Sequence, residues 1–198
     1  MKIMAFLLLM LPMFAYASDT ICNRQNHPHT EFISYTVTDP TGQELTVQGK
    51  LKLPVEFDFK KKCFSPKDNL PAVVILHGSS GIDFRGDFYA RLLNRVNIAT
   101  LEIDMWDARG VAGGTTDRPA LPLFTYPDAF GALKYLDEHP SVDGDRVGVI
   151  GFSWGGVVAL ASAEKLYQTL FGNGLKFAAH VAHYPVCYGF NSDLPALS

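Results

Sequence analysis

Cysteine is scarce in this sequence, three among 198 residues, and no Cys-x-x-Cys pair or His/Cys cluster occurs. A structural zinc site therefore has no support. Charge of one sign is lacking as well: 17 Lys and Arg stand against 20 Asp and Glu, a formal net charge of −3. Without a strong positive field, nucleic-acid binding through bulk charge is not expected. There is no internal repeat and no low-complexity tract. Beyond the first 17 residues, no segment is apolar enough to cross a membrane. With 47% hydrophobic and 19% charged residues, the composition fits one compact domain. It excludes a disordered, collagen-like or small disulfide-scaffold protein.

The first 17 residues read as separate from the fold. Lys2 is a minimal positive region, Ile3 to Met13 is apolar, and Ala15-Tyr16-Ala17 is a small-x-small cleavage site before Ser18. This is the pattern of a secretory signal peptide, and the apolar stretch is shorter than the roughly 20 residues that span a bilayer. Residues 18–198 are then expected to be soluble and periplasmic or secreted. Such a compartment permits a disulfide, and Cys22 and Cys63, both ahead of the repeating strand and helix pattern, are its expected partners. Cys187 is left over.

Glu31 to Thr38 and Leu45 to Leu53 alternate apolar and polar residues around Asp39-Pro40-Thr41-Gly42, which predicts an antiparallel hairpin of edge strands. Ala72 to Leu76, Ile98 to Ile103, Val147 to Ile150 and Phe177 to Ala182 are short, mostly apolar runs, as expected of parallel strands covered on both faces. Between them lie helical patterns. One is built on Phe88, Tyr89, Leu92, Leu93 and Val96, and another on Ala129, Phe130, Leu133 and Leu136. The second opens at Thr125-Tyr126-Pro127-Asp128 with capping-box spacing. A third helix is expected over Val157 to Leu170. The fold class is therefore α/β, a doubly wound and mostly parallel sheet with an N-terminal antiparallel hairpin. Asp107 to Phe124 reads as a long loop where such sheets carry binding loops. Lys60-Lys61-Lys62 with Lys67 reads as a basic cluster in a connecting loop, solvated surface rather than a ligand patch.

Gly151-Phe152-Ser153-Trp154-Gly155-Gly156 matches G-x-S-x-G between an apolar strand and an apolar helix. So sharp a turn strains its central residue and lifts Ser153 above the strand ends, at a helix N-terminus whose dipole favours negative charge. Ser153 is the candidate nucleophile. His77-Gly78-Ser79-Ser80-Gly81 follows an earlier strand, where this architecture supplies an oxyanion-hole amide. The main-chain N–H groups of Ser79 and Trp154 are the two candidate donors. His77 is expected to orient this loop rather than to serve as base.

The runs DRVGVIGFSWGG (Asp145 to Gly156), VVILHGSSG (Val73 to Gly81) and FAAHVAHYP (Phe177 to Pro185) resemble the dienelactone hydrolase family of α/β-hydrolases over roughly Leu45 to Tyr188. The founding enzymes carry cysteine as nucleophile where this sequence has Ser153. The resemblance therefore implies a serine esterase or related acyl hydrolase acting on a small-molecule ester or lactone. No metal or organic cofactor is expected, and the oligomeric state is left open.

In this architecture an acid and then a histidine follow the nucleophile on later strands. Only six strands are counted here, so the last strands, the acid and the base are expected to be missing from the 198 residues. The polypeptide alone is then expected to show little or no turnover, because a serine hydroxyl needs a base. The competing expectation is a non-catalytic binding protein of the same fold, or an inactive truncated product. Asp193 reads as a turn residue. His180 and His183, taken to share one face of the last strand, read as buried and hydrogen-bonded. Asp104, Asp107 and Arg109 are expected either to line the pocket, with Arg109 meeting a substrate carboxylate, or to pair with one another. Trp106 and Trp154 are expected as acyl-site walls or core.

Overall fold

The structure, a computed structural model, describes residues 22–186. The proposed signal peptide, Cys187 and Asp193 lie outside the described residues. Ten-residue strands β1 (His29–Thr38) and β2 (Glu44–Leu53) form the expected hairpin in continuous antiparallel register from His29↔Leu53 to Thr38↔Glu44. The Asp39 carboxylate fixes its turn, with Oδ1 accepting from the amides of Thr41 (2.8 Å) and Gln43 (3.0 Å) and from the Thr41 hydroxyl (2.6 Å). Short Asp side chains favour turns because they hydrogen-bond backbone a few residues on.

Six strands make the main sheet. β5 (Leu70–Leu76), β6 (Ala99–Asp104), β7 (Val142–Phe152) and β8 (Ala179–His183) follow the hairpin in the spatial order β1-β2-β6-β5-β7-β8. The β5–β6, β5–β7 and β7–β8 pairs are parallel. β2 pairs antiparallel with β6 from Gln48↔Asp104 to Lys52↔Thr100, so it is an interior strand rather than the edge its half-polar pattern suggested. Among the described residues, β1 and β8 are the edges. The sheet changes winding direction at β5, which lies between β6 and β7. Crevices at the C-terminal ends of strands around such a point are where open α/β sheets bind ligands.

The parallel strands are apolar because helices cover both faces. On one face α2 (Tyr126–Asp137) and α3 (Trp154–Ala161) enclose the larger core, including Val74, Leu101, Leu133, Val149 and Val158. On the other, α1 (Phe84–Arg95) covers Ile75, Ile150 and Phe152. Its buried positions are Gly86, Ala90 and Asn94, while Phe88, Leu92 and Val96 of the predicted apolar stripe are exposed. The cause is the close approach of α1 to β6. A Cβ on Gly86 would overlap the Glu102 carboxylate, so only small side chains fit underneath.

Three further expectations are corrected. The segment between β2 and β5 is a second, two-stranded sheet, β3 (Val55–Asp58) and β4 (Cys63–Pro66), with Lys60 to Lys62 in its turn. The single helix expected over residues 157–170 is two, since α3 ends at Ala161 and α4 runs Lys165–Phe171. Thr125 does precede α2, but it makes no capping bond. Its hydroxyl donates to Pro122 O (2.8 Å) and accepts from Trp154 Nε1 (3.0 Å), while Asp128 is taken by Arg109.

Cys22 and Cys63 form the expected disulfide, with Cα atoms 5.4 Å apart and a sequence separation of 41. Reduction is expected to lower the unfolding free energy by up to about 4 kcal/mol, the chain-entropy value for a loop of that length. Chemical denaturation with and without a reductant measures it.

Candidate active site

β5 and β7 end side by side, and both candidate segments leave from these ends. Ser153, between β7 and α3, has φ 50° and ψ −105°, a left-handed conformation that a non-glycine residue holds only at a cost of about 1–3 kcal/mol. Surrounding backbone enforces it. Ser153 N–H donates to His183 O (3.0 Å), and Gly155 N–H donates to His77 O (3.1 Å). The flanking glycines are required by contact. A Cβ on Gly151 would stand 1.9 Å from Gly155 O, and one on Gly155 would stand 2.4 Å from Leu76 O. Ser153 is half-buried, with buried neighbours on both sides.

The loop after β5 lies against this elbow. A Cβ built on Gly78 would be 3.7 Å from Ser153 Cβ. The loop is a tight turn closed by Gly81 N–H to Gly78 O (3.0 Å). The Ser79 carbonyl is held from two sides, by Gly114 N–H (2.6 Å) and Trp106 Nε1–H (3.0 Å). Among the described residues, the amides of Ser79 and Trp154 have no acceptor, whereas Gly155 N–H, one residue on, is already bonded. Two unpaired amides at an elbow and a helix N-terminus are suited to hold an anion.

His77 is buried, and both ring nitrogens are engaged. Nδ1 lies 2.7 Å from Gly78 O, and Nε2 accepts from Met105 N–H at 2.9 Å. That pattern assigns the proton to Nδ1 and leaves no nitrogen for Ser153. The Ser153 hydroxyl has no hydrogen-bond partner among the described residues. His180 and His183 are three residues apart, an odd separation, so they face opposite sides of β8 and not one. His183 stacks on Phe152 (5.1 Å between ring centroids), with Tyr89 Oη 3.5 Å from its Nε2. His180 packs edge-on to Phe177, and its Nε2 has no hydrogen-bond partner. Burial lowers its pKa from the usual histidine value.

The acidic and basic groups after β6 take up neither of their expected arrangements. Asp104 Oδ1 accepts from the amides of Trp106 (2.9 Å) and Asp107 (3.2 Å). Asp107 accepts from Gln48 Nε2 (2.9 Å). Arg109 turns inward, with Nη1 and Nη2 donating to the two Asp128 carboxylate oxygens at 2.7 and 3.0 Å and to the carbonyls of Met105 and Phe124. Both terminal nitrogens are spent on interior acceptors, so it is withdrawn from any ligand. Burial pushes the Asp128 carboxyl up to about 6, with Arg109 opposing the rise. Trp106 and Trp154 are buried and meet edge-to-face at 5.4 Å.

Sequence reasoning missed Arg118. Its guanidinium donates to Ser79 Oγ and lies 4.6 Å from the centroid of the Trp154 ring. Nothing in the irregular loop that carries it has a periodicity from which this placement follows. Among the described residues, no group of three or more His, Cys, Asp or Glu is placed to hold a metal ion.

A serine on a strained strand-to-helix turn, beside a second loop with a free amide, defines the α/β-hydrolase architecture. The model of the alpha/beta hydrolase family matches residues 73–190, more than half of the sequence, and the chain belongs to that family. No curated protein matches it. Among solved structures it is similar to a hyperthermophilic esterase from the archaeon Pyrobaculum calidifontis, at TM-score 0.54 and 21% identity over 85% of this chain and 48% of that one. It is also similar to a putative dienelactone hydrolase from Klebsiella pneumoniae (0.52; 16%; 79% and 60%). A third is the alpha/beta hydrolase GrgF from Penicillium sp. sh18 (0.50; 20%; 70% and 43%). These likenesses show the fold. The chain spans between 43% and 60% of the length of these structures.

Proposed function

We propose that the protein is an exported serine hydrolase of the dienelactone hydrolase type, cleaving an ester or lactone through an acyl-enzyme on Ser153. The observation that carries this reading is the elbow: a strained serine at φ 50° beside two amides that have no other acceptor. Ser153 Oγ attacks the carbonyl carbon and its proton passes to a base. The carbonyl oxygen becomes an oxyanion received by the N–H groups of Ser79 and Trp154. Collapse expels the alcohol, and water then releases the acid. The described residues include the proposed nucleophile and the two amides proposed for the hole. No base or orienting acid is assigned among the described residues: both nitrogens of His77 are occupied, and His183 is stacked on Phe152. The Cys22–Cys63 bridge supports export to an oxidising compartment.

Mixing the full-length protein with a short-chain 4-nitrophenyl ester is expected to release a burst of nitrophenolate approaching one equivalent per Ser153, followed by slower turnover. Neither burst nor turnover with any short acyl chain would contradict the proposal.

A further inference from the structure

The segment between β6 and α2 is folded onto the oxyanion loop. At Gly113 (φ +84°) a Cβ would stand 2.6 Å from both Ser79 O and Trp106 Nε1, and Gly114 N–H bonds Ser79 O. A bridge between Gly113 and Asp117 closes the loop, and the Asp117 carboxylate is spent on Ala112 N–H (2.7 Å). The next residue, Arg118, is thereby delivered to Ser79 Oγ and to the face of Trp154. It touches a side chain of each residue whose amide is assigned to the hole. Arg85 and Arg109, the other arginines around these strand ends, pair with Asp83 and Asp128. Among the described residues Arg118 has no carboxylate within ion-pair distance, so a half-buried positive charge is left uncompensated at the place where negative charge is to develop.

We propose that Arg118 is a cationic positioning residue of the oxyanion hole: clamped between the Ser79 hydroxyl and the Trp154 ring, it steadies both amide donors and adds positive potential beside the oxyanion. The inference rests on the assignment of Ser153 and its hole made above. Charge fixed in advance beside a developing anion stabilises the transition state more than the neutral ground state, because no reorganisation is needed when the charge appears.

Two probes separate these states in the full-length protein. With phenylboronic acid, Ser153 Oγ bonds to the trigonal boron, the hydroxyl proton passes to water, and the boron becomes a tetrahedral anion in the hole. Benzamide occupies the same space as a neutral carbonyl. Arg118→Gln is expected to weaken phenylboronic acid binding about tenfold or more while weakening benzamide binding severalfold less, with the boronate loss largest at low salt. Arg118→Lys, which keeps the charge, is expected to recover part of the affinity. The proposal is overturned if Arg118→Gln weakens both ligands equally, or neither, while Ser153→Ala still abolishes boronate binding; the Ser153 assignment then stands. Boronate binding that is absent, or indifferent to Ser153→Ala, removes both.

Discussion

Ser153→Ala is expected to lower ester hydrolysis by the full-length protein about a millionfold, the scale seen when a serine nucleophile is removed from a unit that works together. Among the described residues, no neighbouring hydroxyl is placed to substitute. Ser79 Oγ is bonded to Arg118, and Ser80 is exposed on the outer side of its turn. Ser80→Ala is therefore the matched control and should leave the rate within twofold or so. The alanine variant keeps its Cβ and hence the strain at φ 50°. Ser153→Gly would relieve it, raising the unfolding free energy by about 1 kcal/mol while abolishing activity. A rate loss accompanied by a gain in stability identifies a residue held in place for chemistry rather than for folding. Initial rates and urea midpoints on the same preparations give both numbers.

Arg109→Ala is expected to cost about 3–5 kcal/mol of stability, because it leaves the fully buried Asp128 without its partner. The same substitution frees the carbonyls of Met105 and Phe124. It thus also loosens the loop that presses on Ser79. The pH dependence follows from the raised Asp128 value. A carboxyl whose folded pKa lies near 6, above its unfolded 3.8, contributes stability below the unfolded value, and that contribution is lost as the pH rises through 6. Asp128→Asn removes this titration, so the stability difference between wild type and variant should change between pH 4 and 6 and be flat above 7. Equilibrium denaturation across that range checks the sign.

The elbow was legible in the sequence because its chemistry is local. Gly151 and Gly155 stand where any Cβ would strike backbone, and no other residue type serves there. The parallel strands were legible too, from apolar runs that only two-sided burial explains. Arg109 was misread because its partner Asp128 lies 19 residues away on a helix, and no spacing rule reaches across that loop. Thr125 and Asp128 matched a capping box in spelling, yet tertiary bonds to Trp154 and Arg109 claimed both side chains. The stripe of α1 failed for the opposite reason. Its larger residues were taken to mark the buried face, but the nearness of Glu102 reserves that face for Gly86 and Ala90. Arg118 gave no signal, since irregular loops place side chains by contacts that only the folded chain reveals.

If Ser153 is an activated nucleophile, it reacts covalently with an electrophilic phosphorus reagent. A fluorophosphonate probe added to the folded full-length protein, followed by proteolysis and mass mapping, is expected to place one phosphonyl group on the peptide containing Ser153. Denaturing the protein first, or replacing Ser153 with alanine, should abolish that labelling. A folded protein that stays unlabelled at Ser153, or is labelled elsewhere at the same rate in Ser153→Ala, would contradict the account.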